Sequence, residues 1–139
     1  MAGELDTSRV CSGTYGKIFV DGEWQTQVSE TTADVEIDMK ELLTCGSEWT
    51  EHKAGAKKGT GSLKEFKVTS KMIENGFKKF EIISEIDDPE AYGYERIRLK
   101  NCRVTKISLI NFKPGEVIEN EYPFVFDGYE LLDKIVQTD

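Results

Sequence analysis

The chain has 139 residues, 38% of them hydrophobic and 32% charged, with a formal net charge of −8. That length fits one domain, 1–139, able to bury a core without disulfide staples, and the balance is too apolar for a fully disordered chain. The acidic surface repels phosphate, which argues against sequence-general nucleic-acid binding, and no apolar run approaches the length of a membrane span.

Residues 1–10 are acidic and polar and lack the apolar stretch of a secretory signal, so a bacterial cytoplasm is the expected origin. Residues 15–20 are aromatic and β-branched, and Asp21-Gly22 separates them from residues 23–28. Asp-Gly between two such runs is a strong hairpin signal, because both turn positions tolerate positive φ. Ala33, Val35, Ile37 and Met39 then alternate with Asp34, Glu36 and Asp38, which gives a strand with one apolar and one acidic face. The pattern dissolves over residues 42–62, where Gly55, Gly59 and Gly61 punctuate a lysine-rich stretch. A long loop or an extended arm is expected there. Residues 63–68 read as a further strand, with Phe66 and Val68 on one face.

One short helix is predicted next. A hydroxyl of Thr69 or Ser70 can cap it, Met72, Ile73 and Phe77 share a face, and Asn75-Gly76 weakens or ends it. Strand patterns resume at residues 80–86 and 95–104, separated by an Asp-Pro and Tyr-Gly turn, and a phase slip at Asn101-Cys102 predicts a bulge. Residues 105–112 and 117–126 read as strands on either side of Lys113-Pro114-Gly115. Ile118, Tyr122, Phe124 and Phe126 fall on one face, and Pro123 needs an edge or a bulge. Residues 129–136 read as a short helical or extended tail. The expected fold is mainly β: an antiparallel sandwich or partly closed barrel with one flanking short helix and a long loop or arm over 42–62.

No catalytic set emerges. His52 is the single histidine, and no serine or cysteine stands at a motif spacing from it. Cys45 and His52 alone fall short of the four ligands of a structural zinc site. Cys11, Cys45 and Cys102 are odd in number and widely spaced, which suits reduced thiols. The Asp34/Glu36/Asp38 row lacks the tight turn of a calcium loop. The glycines of residues 55–61 do not follow the order of a phosphate-binding loop. No cofactor, no metal and no enzymatic activity are expected.

Four stretches together resemble the tail-tube proteins of PBSX-type phage-like elements and related contractile-tailed phages. They are Ser12-Gly13 with Gly16 through Val20-Asp21-Gly22-Glu23, His52-Lys53 with Gly59-Thr60-Gly61-Ser62, Asp88-Pro89-Glu90-Ala91-Tyr92-Gly93-Tyr94-Glu95-Arg96, and Pro123-Phe124-Val125-Phe126-Asp127-Gly128-Tyr129-Glu130-Leu131-Leu132-Asp133. The resemblance implies a structural subunit whose hexameric rings stack into a hollow tube inside a sheath, with no reaction. It implies as partners further copies of the chain, sheath protein, and tape-measure, baseplate and tail-terminator proteins, with DNA passing through without specific binding and no membrane contact. The expected location is the tail of a virion or phage-like particle, assembled in the host cytoplasm.

Within that frame, strand edges become subunit joints, and a joint between unlike edges closes a ring. Trp49, His52, Lys53, Lys57 and Lys58 of the arm, and the basic row Arg96, Arg98 and Lys100, are the interface candidates. Asp34, Glu36 and Asp38 are the candidates for the channel wall, where like charge prevents DNA from sticking. Two other readings stay open: the tube of a DNA-free R-type bacteriocin, or a small-ligand-binding β-barrel with a cavity lined by Phe124 and Phe126.

Overall fold

A computed structural model describes residues 4–137. Its strands are β1 (Gly16–Val20), β2 (Glu23–Trp24), β3 (Val28–Leu42), β4 (Glu51–Phe66), β5 (Phe80–Ile86), β6 (Glu95–Val104), β7 (Glu119–Phe126) and β8 (Gly128–Asp133), with one α-helix, α1 (Lys71–Asn75), and single 3-10 turns at Thr7–Arg9 and Gly13–Tyr15. All strand pairs are antiparallel, in the order β2-β1-β5-β6-β7-β4-β3, and β8 adds to the free side of β6.

The bulge predicted in β6 organises this order into two layers. Asn101 has a φ of +51°, and the register with β5 shifts between the Phe80–Cys102 and Ile82–Leu99 pairs. Before the bulge β6 pairs with β5 and β8; after it, Arg103 and Val104 pair with Val125 and Phe124 of β7. A strand that changes layer at a bulge makes the corner of a sandwich. Ile18, Phe80, Ile82 and Leu99 from one layer meet Leu63, Tyr122, Phe124 and Phe126 from the other, and Cys102 and Val104 fill the corner. The end strands β2 and β3 do not pair with each other, so the barrel is not closed.

Most turn chemistry follows the sequence. Asp21 and Gly22 take positive φ and join β1 to β2, as Asp-Gly predicts. Pro123 directs its carbonyl to Thr105 N (2.8 Å), on the side where the β6–β7 ladder ends, so its missing N–H interrupts no ladder. Asp88 is buried and its carboxylate accepts from Ser12 N (3.0 Å) and Glu90 N (2.9 Å). Two of the stretches that carried the resemblance therefore meet in space.

Several expectations need correction. The strand expected over residues 23–28 is only Glu23–Trp24, whereas the tail over 129–136 takes its extended alternative, with β8 covering Gly128–Asp133. Helix α1 ends at Gly76 as expected, but the Ser70 side chain makes no capping bond and Phe77 is 60% exposed. Val68 and Phe66 are also exposed; Leu63 and Glu65 are the inward residues of β4. The stretch 42–62, expected as a long loop or arm without strand pattern, is instead strand over residues 51–62, which lie in β4 and pair with β3. The glycines there are packing positions. A Cβ on Gly59 would stand 2.6 Å from Cδ2 of Phe126, and one on Gly61 2.7 Å from Cζ of Phe124. Finally, residues 105–112 form no strand.

Candidate assembly surfaces

The β3–β4 ribbon dominates the exposed surface. β4 pairs with β7 only from Gly59 to Phe66, and beyond that point β3 and β4 pair with each other alone, out to Leu42–Glu51. An isolated two-stranded hairpin is marginal in water, so such a ribbon needs an external surface to pack on. Directly opposed residues share a face. One face therefore carries Val35, Ile37 and Met39 with Gly59, Lys57 and Ala54; the three apolar side chains are 40–50% exposed. The other carries Asp34 opposite Thr60, Glu36 opposite Lys58 and Lys40 opposite Lys53. An irregularity between Ile37 and Met39 places Gly55 against Asp38, where a Cβ would approach the Asp38 carbonyl oxygen at 2.9 Å. Such a bulge increases local twist.

The sequence-derived interface residues fall in two separate places. Trp49 is in the tip turn, 81% exposed, its N–H donating to Ser47 Oγ (3.2 Å). His52, Lys53, Lys57 and Lys58 follow on β4, with His52 opposite Glu41. Arg96, Arg98 and Lys100 are on β6, in the other layer. Their carboxylate partners are on the same chain: Arg96 Nε to Asp133 (2.6 Å), Arg98 to Glu81 (2.8 Å) and Glu130 (3.7 Å), and Lys100 to Glu130 (3.8 Å). The acidic row is not wholly acidic as a face, since Lys58 and Lys40 share it, and Lys40 Nζ lies 3.0 Å from the Asp38 carboxylate.

Sequence reading missed one surface. Residues 105–112 read as a strand but form none, and residues 109–117 expose Leu109 (64%), Ile110 (82%), Phe112 (74%) and Val117 (79%). The signal was present as an apolar run, and only the tertiary structure shows that nothing covers it. The segment stays beside β7 because Asn111 Nδ2 donates to Glu119 O (3.1 Å) and Asn120 Oδ1 (3.2 Å).

The accessible surface totals 10412 Å². A compact monomer of 15.7 kDa would expose about 7,300 Å². Contributors to the excess include the exposed residues 4–15, the ribbon, the 105–118 segment and an apolar cleft between the layers, lined by Ile18, Ala33, Val35, Ile82 and Ile97 among others. Phe124 and Phe126 are buried with ring centroids 6.2 Å apart and fill the core, and Phe126 also borders that cleft. Among the described residues no group of three metal-ligating side chains converges, and no helix is long and apolar enough to cross a membrane.

The titratable interior is small. Burial raises the Glu65 carboxyl above its ordinary value, opposed by a hydrogen bond from Gln27 Nε2 (3.3 Å). Burial also pushes the Cys102 thiol up to about 11.

Comparison with known proteins is in keeping with this geometry. The sequence profile of the family described as "Phage tail tube protein" matches residues 3–133. The phage-like element PBSX protein XkdM of Bacillus subtilis (strain 168) is 27% identical, over 96% of this chain and 98% of its own. The fold is similar to a chain of an extracellular contractile injection system, the PVC sheath–tube complex in its extended state. The TM-score is 0.72 at 12% identity, covering 97% of this chain and 100% of that one. It is also similar to a chain in the tail of an empty gene transfer agent particle refined with C6 symmetry, with a TM-score of 0.57 at 13% identity, covering 94% and 100%.

Proposed function

The chain belongs to the phage tail tube protein family, and from that premise we propose that it is a ring-forming subunit whose hexamers stack into the channel inside a contractile sheath. The observation that carries the proposal is the free β3–β4 ribbon, whose apolar side chains have no cover within one chain. Six-fold symmetry is suggested by the gene transfer agent tail, and a sheath partner by the sheath–tube complex. In this reading the ribbon reaches an adjacent ring. Trp49 is its anchor, since a large exposed aromatic buries much area at low entropy cost, and His52, Lys53, Lys57 and Lys58 provide positive charge toward an acidic neighbour.

The wall assignment follows from charge. With a net −8 overall, and with Asp34, Glu36 and Asp38 offsetting the lysines that share their face, a channel wall made by that face has no surplus of the positive charge that phosphate binding requires. Tape-measure, terminator and baseplate proteins complete the partners of such a tube, which assembles in the host cytoplasm.

The test is negative-stain microscopy of the concentrated full chain and of tails from producing cells. Rings or tubes are the expected result. A chain that stays monomeric at every concentration and is missing from tails overturns the proposal.

A further inference from the structure

The second layer, β6-end–β7–β4–β3, has two unlike edges. One is the outer side of β3, fifteen residues long and unpaired throughout. The other lies beyond β7. There β6 supplies only Arg103 and Val104 and one further bond from Thr105, after which residues 106–112 run alongside without a backbone hydrogen bond among the described residues. Those residues have strand periodicity and exposed apolar side chains, yet the chain offers them no ladder.

The two edges are opposite in charge. β3 contains Glu30, Asp34, Glu36, Asp38 and Glu41 against a single Lys40, whereas residues 103–113 contain Arg103, Lys106 and Lys113 and no acid; among the described residues Lys113 has only the exposed Glu116 of its own turn nearby, at 3.9 Å. They also match in apolar content: Val35, Ile37 and Met39 on one, Leu109, Ile110 and Phe112 on the other, all at least 40% exposed.

We infer that residues 105–112 are a latent strand that adds to the outer edge of β3 in a second copy of this chain. Backbone groups that meet water in the monomer then enter one ladder, as in strand addition to a sheet edge. Because the joined edges are unlike, the contact is head-to-tail, and repetition closes a ring. The inference rests on the tube reading and assigns its lateral joint. It gives this role to residues 105–112 in place of the basic row of β6, whose partners are within the chain.

A charge exchange tests it. Lys106→Glu with Lys113→Glu makes one variant; Asp34→Lys, Glu36→Lys and Asp38→Lys together make the other, which turns the β3 edge net positive. Each alone faces like charges at every joint and loses ring formation at low salt. Mixed in equal amounts, they restore it, because alternating copies recover opposite charges. Independently, Ile110→Pro keeps the monomer's circular dichroism, since residue 110 makes no backbone bond, and loses assembly. All are scored by microscopy beside the wild type. Wild-type tubes with unaffected single variants, with an unrestored mixture of folded variants, or with normal assembly of Ile110→Pro overturn the joint and leave the tube reading standing. A wild type that never assembles overturns the tube reading itself, and the joint with it.

Discussion

Gly59 lies against the ring of Phe126: a Cβ on the glycine would be 2.6 Å from Cδ2 and 2.7 Å from Cζ. The two residues are also register partners across β4 and β7. A side chain at 59 must therefore displace a buried aromatic. Gly59→Val is expected to destabilise the chain by about 1–3 kcal/mol, the usual cost of overpacking a core. Chemical denaturation measures this, and an unchanged midpoint counts against the packing role.

Cys11 and Cys45 are exposed, whereas Cys102 is buried, with Sγ 3.6 Å from Leu99 O and a thiol pushed up to about 11 by burial. The thiolate is the reactive form. A maleimide dye at neutral pH is expected to label Cys11 and Cys45 in the native protein and Cys102 only after denaturation. Rapid native labelling of Cys102, located by peptide mapping, contradicts this.

Glu65 contributes a pH dependence of definite sign. Its carboxyl is raised in the folded chain by burial, so the native state holds the proton more tightly than the unfolded one. The associated stability is present below the ordinary glutamate value and is lost as pH rises through the raised value. Glu65→Gln removes that loss. Melting temperatures measured from acid to neutral pH are expected to fall relative to the variant's in the wild type, and parallel curves refute the assignment.

Trp49 is nearly fully exposed at the ribbon tip and contributes little to the fold. Trp49→Ala is expected to change unfolding free energy by no more than about 0.5 kcal/mol, as for ordinary surface substitutions. It should nonetheless reduce tube formation sharply, by sedimentation or microscopy. Wild-type assembly of the variant removes the anchor role.

Arg98 lies between Glu81 (2.8 Å) and Glu130 (3.7 Å). Arg98→Glu sets three carboxylates together, and an exposed pair of this kind is worth roughly 0.2–1 kcal/mol after solvent screening. The substitution is therefore expected to lower monomer stability by about 1 kcal/mol, measured by denaturation of dilute protein. Unchanged stability with lost assembly would return Arg98 to the subunit interface.

Local chemistry alone settled much of the fold. Asp21-Gly22 dictates its turn through positive φ, the phase slip at Asn101 announces a bulge, and the alternation of Tyr122, Phe124 and Phe126 marks a buried face. These are properties of adjacent residues, so a linear reading reaches them. The tertiary structure decided what depends on distant partners. Gly59 and Gly61 read as flexibility until the rings of Phe126 and Phe124 appear across the ladder. Arg96 and Arg98 read as a basic strand face, and only the fold shows Asp133, Glu81 and Glu130 beside them from other strands. Residues 105–112 have the period of a strand, but a strand is a pairing relation, and period alone cannot say whether the partner lies in the same chain.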